Sequence, residues 1–395
     1  MRNKTVLISG ASIAGPALAY WLRRRGFVPT VVETAPALRP GGHAVDLRGA
    51  AKEVVERMGL METVRAARVH ERGLAYVDAK GRLQAQLPAD AFGGEGIVAE
   101  IEIMRGDLTA ILYEATKDDV EYIFGDRITE LAEHSDGVKV TFAGGAVRDF
   151  DLVVGADGVH SGVRRLAFGP EERFVEYIGG YTAYFTMPDP GVLDEWFVMH
   201  SAPGGITAGI RPENGGTAKA MLSFLSPKLD YDRRDVAAQR AILREKFAPM
   251  GWKAPQMLAG MDGAEDFYFD SFCQVHMDTY ARGRVVLLGD AAFCGSPLVG
   301  LGTAMAIVGA YVLAGELAAT PDDHAGAFAR YEAELRPYVK QCQELPPGGV
   351  KGFAPESSLM IRMRNLSMNS MTKWPMRLFF AKLFQKADAI TLKNY

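Results

Sequence analysis

The stretch that most constrains the fold lies near the start of the chain. Thr5-Val6-Leu7-Ile8-Ser9 is a short apolar, β-branched run ending at Gly10, the pattern of a strand buried on both faces of a parallel sheet. Residues 14–25 follow with Ala17, Leu18, Trp21 and Leu22 on one helical face, Gly26 closes them, and Phe27 to Glu33 form a second apolar run. Strand, helix and strand in so short a space make a βαβ unit. The turn into the helix reads Gly10-Ala11-Ser12-Ile13-Ala14-Gly15. A dinucleotide needs a tight turn there, close backbone approach to its pyrophosphate, and free N–H groups at a helix start. Ser12 stands where a middle glycine is usual and is small enough to leave that approach open. Glu33 closes the second strand, about 20 residues on, where a carboxylate accepts hydrogen bonds from ribose hydroxyls. The plainer alternative is a glycine-containing turn beside a surface glutamate; the strand before it and the helix after it favour the nucleotide.

Two later segments repeat the theme of a strand running into an Asp-Gly turn. Asp151 to Gly155 is a buried strand that leads into Gly155-Ala156-Asp157-Gly158-Val159-His160-Ser161-Gly162-Val163-Arg164. Gly283 to Asp290 is another, followed by Ala291-Ala292, Pro297, Gly300, Leu301, Gly302 and a long apolar helix over residues 302–318. A carboxylate and a second helix N-terminus at the sheet's carboxyl edge suit a polyol chain and a ring whose reduced form carries negative charge. Between these segments, residues 70–96 alternate as a hairpin, and strand-like runs fill 175–225. The organisation expected is α/β: a discontinuous Rossmann-type nucleotide-binding domain from 1–70, 97–170 and 281–345, an inserted antiparallel β-sheet substrate domain from 71–96 and 171–280, and a C-terminal helical segment, 346–395, bridging the two.

Composition narrows the class. A net charge of −4 over 395 residues gives no basic field for nucleic acid. Cys273, Cys294 and Cys342 make no disulfide framework and no Cys-x-x-Cys pair, which points to a reducing, cytoplasmic setting and away from a structural metal. The apolar runs fall short of the roughly 18 residues of a spanning helix, and Met1-Arg2-Asn3-Lys4-Thr5 enters the first strand with no small-residue cleavage site, so neither a membrane span nor a signal peptide is expected.

In order and spacing, Gly10–Gly15, Glu33, Arg105 in Met104-Arg105-Gly106-Asp107-Leu108, Gly155–Arg164 and Gly289–Gly302 resemble the FAD-dependent aromatic hydroxylases, the class A flavoprotein monooxygenases, and among them the short tetracycline-inactivating members. The resemblance implies that the Ser12, Ile13, Ala14 and Gly15 backbone, with Gly10, holds the FAD pyrophosphate and that Glu33 holds the adenosine ribose. It assigns Arg105 to the pyrophosphate and ribityl region, Asp157 to pyrophosphate packing and NAD(P)H contact, and Asp290 to the ribityl chain. Pro297, Gly300, Leu301 and Gly302 become the loop beside the isoalloxazine, Asp46 a neighbour of the flavin ring, and Arg39 a contact for NADPH or NADH. Phe293 departs from a frequent histidine of the family, and Ala304 and Gly309 from asparagine and aspartate.

The activity implied is monooxygenation: NAD(P)H reduces FAD, a flavin C4a-hydroperoxide forms with O2, and one oxygen enters an aromatic or polyketide-like small molecule. No side chain is assigned as catalytic, because this scheme requires none to act as acid or base on oxygen. A reductase or dehydrogenase of the same fold, and a non-catalytic flavin protein, stay open as alternatives. A halogenase does not fit, since Trp21, Trp196, Trp252 and Trp374 are isolated. The histidines are scattered; His43 and His160 read as loop residues beside the motifs, and His200 and His276 as strand or surface residues. Aromatic residues such as Tyr181, Tyr184, Phe185, Trp196, Phe224 and Phe269 suit either a sheet core or a flat apolar substrate. From Pro375, the spacing of Met376, Phe379, Phe380, Leu383 and Phe384 predicts an amphipathic helix in a basic tail, expected to pack on the protein.

Overall fold

The structure is a computed structural model that describes residues 4–39, 41–92, 99–191, 195–213, 216–373 and 389–395. β1 (Thr5–Ser9), α1 (Ala14–Arg24) and β2 (Val28–Glu33) form the expected βαβ unit. After them come β3 (Ala44–Asp46), α2 (Ala50–Arg57), α3 (Met61–Ala66), the hairpin β4 (Gly73–Val77) and β5 (Leu83–Pro88), then β6 (Glu102–Met104), α4 (Arg105–Glu114) and β7 (Glu121–Phe124). A small antiparallel sheet of β8 (Ile128–Glu133), β9 (Val138–Phe142) and β10 (Val147–Phe150) leads to β11 (Leu152–Gly155) and α5 (Gly162–Ala167).

The chain then leaves for a second sheet through β12 (Val175–Pro188), β13 (Trp196–Ala202), β14 (Ile206–Pro212), β15 (Thr217–Leu225), α6 (Val236–Phe247), α7 (Ala254–Met261) and β16 (Tyr268–Val275). It returns with β17 (Ala281–Arg282), β18 (Val285–Leu287), α8 (Asp290–Phe293), α9 (Gly302–Ala319) and α10 (His324–Cys342). The first sheet runs β17-β18-β11-β1-β2-β7, with β18, β11, β1, β2 and β7 parallel. Val6, Leu7 and Ile8 at its centre are fully buried, which is why β1 is apolar without alternation. The carboxyl ends of β1, β11 and β18 therefore lie side by side, and each runs into one of the three glycine turns.

The second sheet runs β16-β12-β15-β14-β13-β4-β5. The pairing of β13 with β4 is parallel, so the sheet is mixed rather than wholly antiparallel, with the hairpin of residues 73–88 at its edge. Alternation along these strands separates two faces. Tyr181, Phe185, Phe224 and Phe269 pack with Leu243, Phe247, Met257 and Met261 of α6 and α7. Most of the aromatic residues thus form core on the side away from the first domain. The face toward that domain carries Thr182, Tyr184, Thr186, Arg211, Lys219 and Ser223, with Thr182 Oγ1 2.9 Å from Ser223 Oγ. Met199, Met221 and Phe197 cluster with Tyr184 on that same face, which is therefore mixed, and of the two readings of the aromatics the packing bears out core for Tyr181, Phe185, Phe224 and Phe269.

α9 also corrects the sequence reading. Gly302–Ala319 is long and apolar enough to span a membrane by length and composition, yet 83% of it is buried inside the protein. It packs against α1 and α10 as the central core helix. Ala304 is fully buried, and a side chain begun at Gly309 would meet Leu288 Cδ1 at 2.9 Å, so Gly309 leaves no room for an aspartate. Phe293 is buried edge-on against Tyr280, their ring centres 5.3 Å apart.

The tail touches both domains. α11 (Gly349–Phe353) and α12 (Ser358–Met371) lie on the second sheet, where Arg364 sits 3.8 Å over the Tyr76 ring and donates to Ser201 Oγ at 2.9 Å. Residues 389–395 lie on the first domain, with Tyr311 donating to the Lys393 carbonyl at 2.6 Å and Tyr395 to Glu316 at 2.9 Å. The helix expected from Pro375 falls outside the described residues.

Candidate functional site

The first glycine turn is built by close backbone contact. Gly10 has φ +108°, and a side chain there would lie 2.4 Å from the Ala156 carbonyl oxygen. Gly10 N–H donates to Val32 O at 2.8 Å, which ties the turn to β2. Glu33 Oε2 accepts from Ala11 N at 2.9 Å while Oε1 accepts from Ala35 N at 2.9 Å. Glu33 thus holds the turn itself, and each oxygen keeps a lone pair for a further donor. α1 opens behind Ile13 with no side-chain cap, so its first N–H groups are left for a ligand. This is the arrangement a pyrophosphate requires.

The third turn closes on the same place. Gly289, at φ +63°, would set a side chain 3.2 Å from Ala14 Cβ at the start of α1. Asp290 follows as an exposed residue, and Gly302 leaves room 3.6 Å from its Oδ1. Between them Ser296 at φ +76° and Gly300 at φ +65° bend the chain through Pro297–Val299. α9 then begins behind Leu301, again without a side-chain cap. Two uncapped helix starts and a carboxylate therefore converge at one sheet edge.

Arg105 opens α4, and its backbone N–H donates to His43 O at 3.1 Å while Gly106 N–H donates to Gly41 O at 2.8 Å. The guanidinium lies against Gly42, where a side chain would begin 3.0 Å from Nε. His43 beside it stacks on Tyr184 at 5.0 Å, bridging the two domains. Burial, reinforced by Arg105, Arg211 and Lys219, depresses its pKa to about 3, so it is a neutral ring. Asp46 follows on β3, its Oδ2 3.3 Å from where a Gly300 side chain would start and 2.8 Å from the Arg48 guanidinium.

Asp157 is turned toward its own motif. Its carboxylate accepts from Ser161 Oγ and from Val163 N at 3.1 Å, while Ser161 Oγ caps α5 by accepting from Arg164 N at 2.9 Å. Arg164, almost fully buried, donates to Ala291 O at 2.9 Å, so the second motif braces the residue next to Asp290. Arg39 is exposed, and the structure does not bring its side chain together with the others.

Sequence reading missed two charged clusters. His160 lies 3.0 Å from both Glu171 Oε2 and Asp270 Oδ2, and Tyr268 donates to Asp270 at 2.9 Å. Burial opposes its charge, but the two carboxylates win and raise it to about 9. The other joins Asp46 to Glu71, Glu102 and Arg211. Its one visible sign was Glu102 between Ile101 and Ile103, a charge inside a strand whose neighbours are buried.

A family model described as FAD binding domain matches residues 3–345. An uncharacterized protein of Mycobacterium tuberculosis, Rv1260, is 46% identical over 353 residues, covering 89% of this chain and 95% of its own. A flavin-dependent monooxygenase from an unknown prokaryotic organism is 41% identical over 341 residues, 86% of this chain and 88% of its own. Among solved structures, tetracycline destructase Tet(55) superimposes with a TM-score of 0.83 at 37% identity, over 100% of this chain and 99% of that one.

Proposed function

Because this chain belongs to the FAD-binding-domain family of flavin-dependent monooxygenases, we propose that it oxygenates a polycyclic, oxygen-rich aromatic or polyketide-like molecule at the expense of NADPH or NADH. The observation that supports the substrate class is the mixed face of the second sheet toward the first domain, where Thr186 and Arg211 stand beside Tyr184, Met199 and Met221. Such a face suits a ligand bearing several hydroxyl and carbonyl groups better than a bare hydrocarbon ring. The relation to a tetracycline destructase supports the same class.

FAD fits the residues present. The open N–H groups at Ser12–Gly15 would take its pyrophosphate, Glu33 the adenosine ribose, and Asp290 the ribityl hydroxyls. When bound there, FAD would supply the redox chemistry that couples oxidation of NAD(P)H to insertion of one oxygen atom from O2, the other leaving as water. The uncapped start of α9 would stabilise negative charge beside Gly300–Gly302. The Arg105 side chain, held against Gly42, would add positive charge at the same edge, and Arg39 is the candidate for nicotinamide dinucleotide contact.

The test is turnover of the FAD-loaded chain with tetracycline as a polycyclic polyketide probe. The expected result is NAD(P)H oxidation stimulated by the probe and a product heavier by one oxygen atom. Hydride transfer to the flavin with no oxygenated product from tetracycline or simpler phenols would instead make it a reductase.

A further inference from the structure

A buried group of ionisable side chains lies behind the flavin loop. Asp46 on β3 and Glu102 on β6 are register partners, Glu71 precedes β4, and Arg211 stands near the end of β14. Arg48 Nε and Nη2 lie 2.9 and 2.8 Å from Asp46 Oδ2. Arg211 approaches Glu71 Oε2 at 3.1 Å and Glu102 Oε1 at 3.5 Å. Three carboxyl groups thus face two guanidiniums, and the Glu71 and Glu102 side chains are only 1% and 2% exposed.

Within these five side chains the carboxyl groups outnumber the guanidiniums by one, and burial penalises an excess charge heavily. Glu102 is within hydrogen-bonding reach of both Asp46 and Glu71. Two carboxyl groups bond to each other only through a proton that one of them carries. Glu71 is held by Arg211 and by the Phe197 backbone, and among the described residues no donor satisfies Glu102 Oε2. Burial raises Asp46 and Glu102 to about 7 each, against the opposing pull of Arg48 and Arg211, and it raises Glu71 as well. Tyr184 and His43 complete the surroundings through Arg211, and Arg105 and Lys219 through His43. Asp46 is the open end of the group: its side chain is 14% exposed and lies against Gly300.

We propose that Asp46, Glu102 and Glu71 share one exchangeable proton, and that Asp46 passes it into the reaction cleft beside the Gly300 loop. With the proton the five side chains sum to zero charge; without it they carry one negative charge. The sharing stands on this geometry, while the delivery rests on the monooxygenase reading above. In that reaction the substrate, O2, NAD(P)H and one proton give hydroxylated substrate, water and NAD(P)+. NAD(P)H is oxidised and O2 reduced, and the carboxyl group changes only its protonation. The Asp46 O–H bond breaks, its electron pair stays on the carboxylate, and the proton leaves with the second oxygen atom as water. Solvent then restores the proton.

The test follows the carboxylic-acid C=O infrared band of the full chain, with and without FAD, from about pH 5 to about pH 9, a span that brackets a carboxyl raised to neutrality. In the wild type the band should fall with a midpoint near neutral pH in both forms. Glu102→Gln should abolish that titration, because two carboxylates then match two guanidiniums; Glu71→Gln serves if the first variant does not fold. In the FAD-loaded chain given tetracycline, single-turnover formation of the oxygenated product should slow about tenfold across the same midpoint, at the low end of proton-transfer effects. Asp46→Asn should flatten that profile. No titrating band in the wild type, or the same band in every variant, overturns the shared proton. An unchanged product-formation profile in Asp46→Asn overturns delivery by Asp46. A chain that takes up no FAD overturns the monooxygenase reading and the delivery with it, while the infrared arm still decides the sharing.

Discussion

Gly15 stands so close to Gly10 that a side chain begun at Gly15 would lie 1.9 Å from the Gly10 carbonyl oxygen. Gly10 in turn has φ +108° and would press on Ala156. The two glycines let the end of β1 and the start of α1 touch backbone to backbone, which keeps the helix N–H groups at the sheet edge. Gly15→Ala should therefore force the turn open at a cost of about 1–3 kcal/mol or more. The expected outcome is a lower melting temperature together with loss of bound FAD; a variant that keeps its full flavin complement would contradict the close-contact account.

Asp290 offers a carboxylate at the converging helix starts, and Gly302 leaves space in front of it. Asp290→Ala should weaken FAD retention roughly 10- to 100-fold, the value of a charge-assisted hydrogen bond or two. Flavin absorbance after extensive dialysis reads this directly. Full occupancy in the variant would remove Asp290 from the ribityl site.

His160 fastens the Gly155–Arg164 motif to the second domain through Glu171 and Asp270, with Arg233 bonded to Glu171 at 3.1 Å on the outer side. Its pKa is raised from 6.5 to about 9, so the protonated ring belongs to the folded state. That stability is fully present below the ordinary histidine value of about 6.5, declines as pH rises, and is lost above about 9. The melting temperature of His160→Asn should fall below that of the wild type most strongly near pH 6, with the gap shrinking as the pH approaches 9. A gap that stays constant over this range would show that the ring contributes by packing alone.

Arg39 is exposed, so its loss should spare the fold. Arg39→Ala is expected to raise the KM for NAD(P)H several-fold, as removal of one exposed phosphate contact does, with FAD content unchanged. Unaltered flavin-reduction kinetics would take it out of the nicotinamide site.

The βαβ unit, the two later strand–turn–helix motifs and strands such as Glu121–Phe124 and Val138–Phe142 were legible because their pattern is local. Glycine turns are legible for the same reason: Gly10, Gly15, Gly289 and Gly300 answer to steric needs that their neighbours in sequence reveal. Period-two alternation shows that a strand has two faces but not which one looks onto the cleft. Tyr181 and Phe224 favour core over substrate wall on strand statistics alone, and the packing of α6 and α7 shows that they are core. The parallel pairing of β4 with β13 was hidden likewise, since it joins segments more than a hundred residues apart. Asp46, Glu71, Glu102 and Arg211 come from four separate elements, and no spacing marks them as one group. His160 read as a loop residue because its two acid partners lie on other elements of the fold.

FAD held at the three glycine turns should activate O2. The most direct measurement reduces the flavin of the purified chain by light without oxygen, mixes it rapidly with O2, and follows absorbance during reoxidation, with and without tetracycline. A transient species distinct from oxidised and reduced flavin is expected, lengthened in lifetime or consumed when the probe is present. Direct, featureless return to oxidised flavin under both conditions would contradict it.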